Sequence, residues 1–243
     1  YTNSGTSIDY KTNGTPLTAN APTYCIAPTS GFWSVVFTSC PAGAKHVIAT
    51  GATVTLDANP TTLDGDLELQ GTGQLASGAN TFTLNGAGNQ TLTGNPLTFY
   101  RLTVNKTTKT DIVTIVGKLK VTKKLTVTRG SLRSASEYED LEIQANGVLT
   151  LTNPITVTGH FTNSGDLFTE GNGVVFNGAA AQNLTLNVGT FFDDLTVATG
   201  RTLIETVSDD NAAVFGTLTN NGTIRKSQTV TETAAQVFGL TDV

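Results

Sequence analysis

Residue types able to do chemistry are sparse in this chain, and the densest group is Asp64-Gly65-Asp66-Leu67-Glu68. Alternate side chains of an extended strand share a face, so Asp64, Asp66 and Glu68 are expected to project outward together. Three such carboxylates are a weak candidate for Ca2+, a hard cation that wants several oxygen ligands. Few other ligands are visible, so a solvated strand face is preferred, and no metal or other cofactor is expected. Asp193-Asp194 and Asp209-Asp210 are adjacent pairs. Strand neighbours point to opposite faces, so neither pair makes a carboxylate dyad, and turn positions are expected for both. The two histidines, His46 and His160, lie far apart with no serine motif or metal spacing beside them, and they read as surface or packed residues. There is no P-loop and no dinucleotide fingerprint. No catalytic residue is assigned, and the chain is not expected to be an enzyme.

Cys25 and Cys40 are the only cysteines, and no His/Cys cluster surrounds them to suggest zinc. In an exported protein they are expected to pair, stapling the loop that carries Phe32, Trp33 and Phe37. Export is itself an expectation. The chain of 243 residues has no Met and opens on Tyr1, as it would after removal of a signal peptide. No apolar run is long enough to span a bilayer as a helix.

The elements that must position these residues follow from composition and period. Only 14% of residues are charged, against about 25% in an ordinary domain. Threonine fills 46 positions, and its branched Cβ suits a pleated surface. Gly and Asn supply tight turns. From about residue 47 a short phrase keeps returning, two or three alternating apolar/Thr positions and then Gly or Asn. Examples are Leu67-Glu68-Leu69, Phe82-Thr83-Leu84, Leu102-Thr103-Val104, Leu125-Thr126-Val127, Ile155-Thr156-Val157 and Leu195-Thr196-Val197. Each reads as a short strand with one face in and one face out.

A longer repeat overlies the short one. Asn85-Gly86-Ala87 recurs as Asn177-Gly178-Ala179, and Gln90-Thr91-Leu92 as Gln182-Asn183-Leu184. Very short strands, a two-residue side-chain period and Gly/Asn corners predict an all-β parallel β-solenoid with several strands per coil. A β-sandwich is the rival, but its strands are usually longer. At roughly 20 residues per coil and ~4.8 Å per rung, residues 47–243 would form about ten rungs. Residues 1–24 read as a polar arm with anchors at Ile8, Tyr10 and Leu17. Residues 25–46 read as a disulfide-linked aromatic cap.

Leu102-Thr103-Val104-Asn105, Leu125-Thr126-Val127-Thr128-Arg129-Gly130-Ser131-Leu132 and Leu218-Thr219-Asn220-Asn221-Gly222-Thr223-Ile224 resemble repeats of bacterial surface and secreted β-helix proteins. Large adhesins of the filamentous-haemagglutinin type are the best-known of these. The resemblance spans roughly residues 47–226 and is one of pattern. It implies an extracellular or cell-surface adhesin, sheath or filament protein.

Charge and chain ends complete the reading. Net charge is −5, which does not suggest a nucleic-acid partner. Arg101 to Arg133 carries nine bases against Asp111 alone, and Glu137 to Asp210 carries eleven acids against Arg201. The apolar pattern runs on through Val230, Val237, Phe238 and Leu240 with no polar cap evident. A solenoid end of that kind invites a second copy, so the leading expectation is head-to-tail self-assembly into a filament or sheath. The alternatives are a monomeric adhesin or carbohydrate-binding solenoid from a larger surface protein, with glycans or a host surface as partner, and a β-helix polysaccharide lyase or hydrolase. Ice binding would need an outward Thr-x-Thr at every rung, and Lys, Glu and Asp often stand there instead.

Overall fold

A computed structural model describes residues 24–27, 45–48, 50–51, 53–56, 60–134, 136–187, 189–207 and 213–226. Among them every regular element is a strand, and the strands stack in parallel as a β-solenoid of about eight turns. The all-β parallel solenoid expected from the sequence is therefore borne out. No helix long and apolar enough to cross a membrane occurs among the described residues.

Each turn visits three faces in a fixed order. The first face stacks Tyr24–Ala27, Lys45–Ile48, Leu67–Leu69 and residues 90–94 and 112–117. It continues through residues 129–134 and 146–151, Asp166–Phe168, Phe191–Phe192 and Ala213–Val214. The second face stacks Thr53–Thr55 on Gln74–Ala76, then residues 97–99, 119–121 and 136–138. Ile155–Val157, Gly173–Phe176, Asp194–Val197 and Leu218–Asn220 complete it. The third runs from Thr61–Leu63 and Thr81–Leu84 through residues 101–104, 124–127 and 140–143 to Phe161–Asn163, Gln182–Leu186, Thr202–Val207 and Thr223–Lys226.

The backbone ladder reaches back to Tyr24, because Tyr24–Ala27 pairs in parallel with Lys45–Ile48. Residues 1–23 and 28–44 lie outside the described residues. The arm anchors Ile8, Tyr10 and Leu17, the cap aromatics Phe32, Trp33 and Phe37, and Cys40 with its pairing to Cys25 lie there too. So do Val230, Val237, Phe238 and Leu240 at the other end.

Turn length is uneven. His46 stacks on Leu67 and Phe161 on Leu184, but Leu125 stacks on Leu141 only 16 residues later. The tight coils lie in the middle, where Ile112–Ser134 and Ser136–Leu151 run as long bent strands without loops at the corners. Gly117 shows why the bends need glycine. Its φ is +112°, and a Cβ there would stand 2.0 Å from the Gly94 carbonyl oxygen of the turn below.

The interior explains the alternation in the sequence. Leu84, Leu102, Leu125, Leu141, Phe161 and Leu203 face inward and are sealed. Phe82 and Phe99 meet with ring centroids 5.0 Å apart, and Phe161 contacts both Phe176 and Phe192. Each fully buried Leu or Phe contributes about 1.5–3 kcal/mol, and only stacking seals them, since one coil alone has no second layer.

The long repeat has an unexpected geometry. Asn85-Gly86 ends a third-face strand, whereas Asn177-Gly178 ends a second-face strand. Gln90 opens a first-face strand and Gln182 a third-face strand. The repeating unit is thus one strand with its corner, and the second copy sits one face earlier in the turn. Three nearly equivalent faces make that shift possible without disturbing the core.

Candidate functional site: outward ladders and the last turn

Three of the carboxylates singled out from the sequence, Asp66, Asp193 and Asp194, act on backbone. At the corners a side-chain acceptor takes the N–H of a residue about one turn later. Asp66 Oδ1 accepts from Thr91 N at 2.6 Å, Asp140 Oδ1 from His160 N at 2.8 Å and Asp194 Oδ1 from Thr217 N at 2.7 Å. Asn89 Oδ1 and His160 Nδ1 do the same for Ile112 and Asn183, both at 2.9 Å. A parallel coil leaves N–H groups unpaired where strands stop, and these residues satisfy them.

Asp64, Asp66 and Glu68 keep the alternation expected of them. They do not form the weak cation site. Asp66 is held by Thr91, and Glu68 is bonded to Lys45 at 2.5 Å and Gln70 at 3.1 Å. Among the described residues no group of three His, Cys, Asp or Glu side chains is placed to hold a metal ion. The Lys45 ammonium, with Gln70, draws the Glu68 carboxyl below the usual range. Asp193 sits at the bend before Asp194–Val197, and its Oδ2 accepts from Thr169 Oγ1 at 2.7 Å and from Gly171 N. Asp194 points to a different partner, so the pair is not a dyad. Asp209 and Asp210 lie outside the described residues.

His46 is packed inside, 2% exposed, and desolvation lowers its pKa to about 4 against a smaller opposing pull from Asp64. His160 is exposed. The two are not brought together.

The basic band differs from its sequence reading at Lys106. That side chain is buried, with Nζ donating to the Asn85 carbonyl at 2.5 Å and Gln90 Oε1 at 3.1 Å, and burial lowers its pKa. The remaining charge is partly matched within the chain. Lys109 bonds Asp166 at 2.7 Å, Lys124 bonds Glu142 at 2.6 Å, and Lys123 bonds Glu139. Bases and acids that lie apart in sequence thus stand on nearby turns. Lys118, Lys120, Arg129 and Arg133 stay exposed.

Buried amides lock the corners. Gln90 Nε2 donates to the carbonyls of Leu63, at 3.1 Å, and Gly65. Gln182 Nε2 donates to those of Val157 at 2.9 Å and Gly159 at 2.6 Å, and its Oε1 accepts from Gly178 N at 2.7 Å. The repeated Gln of the sequence is therefore a repeated corner lock.

Two surfaces remain. On the third face Thr62, Thr83, Thr103, Thr126, Thr162, Thr185 and Thr206 stack in one outward row, interrupted by Glu142. The neighbouring row reads Thr81, Arg101, Lys124 and Asp140, so the threonines form a single file. On the first face Phe168, Phe191 and Phe215 project outward from three successive turns, 50%, 44% and 71% exposed. The rings of Phe191 and Phe215 stack with centroids 4.9 Å apart. Sequence reasoning missed this stripe. Its signal was spacing, since Phe168, Phe191 and Phe215 recur at about one turn, on the side opposite the core residues Leu167 and Phe192.

No protein-family model, curated protein or solved structure matches the chain.

Proposed function

We propose that the chain is an extracellular structural protein that assembles head to tail into a filament or sheath, its partner being further copies of itself. The parallel stack of coils carries this reading, each strand pairing with the turns before and after it. The end of such a stack offers an inward apolar layer and backbone groups for parallel pairing with the end of another solenoid. Joining one end to the opposite end of a neighbour is a heterologous contact that does not close, so it propagates.

In this reading Cys25 and Cys40 form a disulfide that staples the loop carrying Phe32, Trp33 and Phe37, which caps the first coil between the rungs Tyr24–Ala27 and Lys45–Ile48. The end carrying Val230, Val237, Phe238 and Leu240 accepts a neighbour's N-terminal cap, and the arm with Ile8, Tyr10 and Leu17 adds as a strand to the next subunit. The Thr-rich, Met-free composition supports an exported protein, and the mostly polar flanks suit a rod that contacts its own kind at the ends.

Negative-stain electron microscopy of the tag-free chain over a range of concentrations tests the proposal. Filaments with an axial repeat near the length of one solenoid are expected, and deletion of residues 1–24 should abolish them. Isolated short rods at every concentration would overturn assembly, and filaments that survive the deletion would remove the arm from it.

A further inference from the structure

We propose that the outward stripe Phe168, Phe191 and Phe215 is a binding platform for a polysaccharide rich in amino sugars. Large aromatic rings exposed in a contiguous row are uncommon on a soluble surface and mark contact sites. Here they stand one per turn, and turns are ~4.8 Å apart along the stack. The Phe215 ring stacks on that of Phe191 at 4.9 Å, so the two form one apolar ledge next to Phe168 against which a sugar ring can lie. The apolar face of a pyranose suits an aromatic ring, and its hydroxyl edge needs polar partners. Both are present, because Phe168 and Phe191 line a groove of about 390 Å3 whose rim carries Asp166, Glu170 and Asn187.

Charge selects the class of glycan. Asp166, Glu170 and the nearby Asp193 keep the groove negative even with Lys109 bonded to Asp166. An acidic polysaccharide would be repelled, and a chain of protonated amino sugars is attracted, with further gain from ammonium groups over aromatic faces. The backbone adds an independent sign. Glu170 adopts φ +52°, a left-handed turn conformation that Gly or Asn takes at lower cost, and strain of this kind collects at functional sites. The stripe lies on the side of the rod, so this inference does not rest on end-to-end assembly.

Calorimetric titration of the full chain with a β-linked glucosamine hexamer, at low salt and a mildly acidic pH where its amines are protonated, is the test, with cellohexaose as the uncharged counterpart. Saturable binding of the glucosamine hexamer, clearly tighter than that of cellohexaose, is expected. Phe191→Ala and Phe215→Ala should each weaken it roughly tenfold or more, the loss typical of a binding anchor. Glu170→Gln should narrow the gap between the two hexamers. Phe215 is the most exposed of the three rings, so Phe215→Ala carries the test if Phe191→Ala fails to fold. Absence of saturable binding, equal affinity for cellohexaose, or affinity unchanged in both phenylalanine variants would overturn the proposal. So would binding of oligolysine without binding of the glucosamine hexamer, which would point to a basic peptide.

Discussion

Replacing Gln182 by Leu should destabilise the solenoid by about 2–5 kcal/mol, a large effect for a change that nearly preserves volume. The Gln182 side chain is 1% exposed and uses both ends of its amide. Nε2 satisfies the carbonyls of Val157 and Gly159, and Oε1 satisfies the N–H of Gly178. Leucine leaves the Gly159 carbonyl and the Gly178 N–H without these partners, while the Val157 carbonyl keeps the Asn177 N–H at 3.0 Å. Each orphaned group costs about 1–3 kcal/mol, with relaxation trimming the sum. Gln182→Glu separates polarity from hydrogen-bond direction. It keeps an acceptor for Gly178 but sets a carboxylate against two carbonyl oxygens, which raises its folded-state pKa. Its deficit should therefore be greatest at neutral pH and shrink as pH falls through that raised value and the acid becomes a donor. Urea unfolding followed by circular dichroism gives the stability, and hydrogen exchange locates the opening at the corner formed by Val157–Gly159 and Gly178. A Leu variant within about 0.5 kcal/mol of the parent, the range of an ordinary surface change, would refute the corner-lock reasoning.

Three further outcomes are expected. His46 titrates near 4 in the folded chain and near 6.5 unfolded, so stability should be complete above pH 6.5 and fall as pH drops from 6.5 to 4. The loss is up to about 3 kcal/mol, and His46→Asn should flatten that stretch of a thermal-melt pH series. Lys124 holds the Glu142 carboxyl below its ordinary range, so that contribution is present above the unfolded glutamate pKa and lost as pH falls through the lower folded value. Glu142→Gln should abolish this acid-side slope, and added salt should weaken it because both groups are partly exposed. Gly117→Ala should lower the melting temperature steeply, because the new methyl meets the Gly94 carbonyl at 2.0 Å in a left-handed backbone, whereas Gly88→Ala has open space and suffers only the backbone strain.

The sequence alone determined the coil. Leu102-Thr103-Val104 and its many relatives alternate with period two, and a strand with that pattern must present one apolar face, whatever its neighbours. The recurrence of the phrase required stacking, and Gly and Asn marked the corners. Tertiary structure decided what the polar residues do, because their partners lie a whole turn away and turn length varies from 16 residues at Leu125–Leu141 to 25 at Leu67–Leu92. No fixed spacing in the sequence announces that Asp66 serves Thr91, that Lys106 turns inward to Gln90, or that Lys109 meets Asp166. The same variation hid the row of Phe168, Phe191 and Phe215, which becomes a surface only when three turns bring the rings to one face. Local period fixes which side of a strand is buried, and the number of residues spent at each corner fixes which residues meet across turns. Only the first of these is written in neighbouring residues.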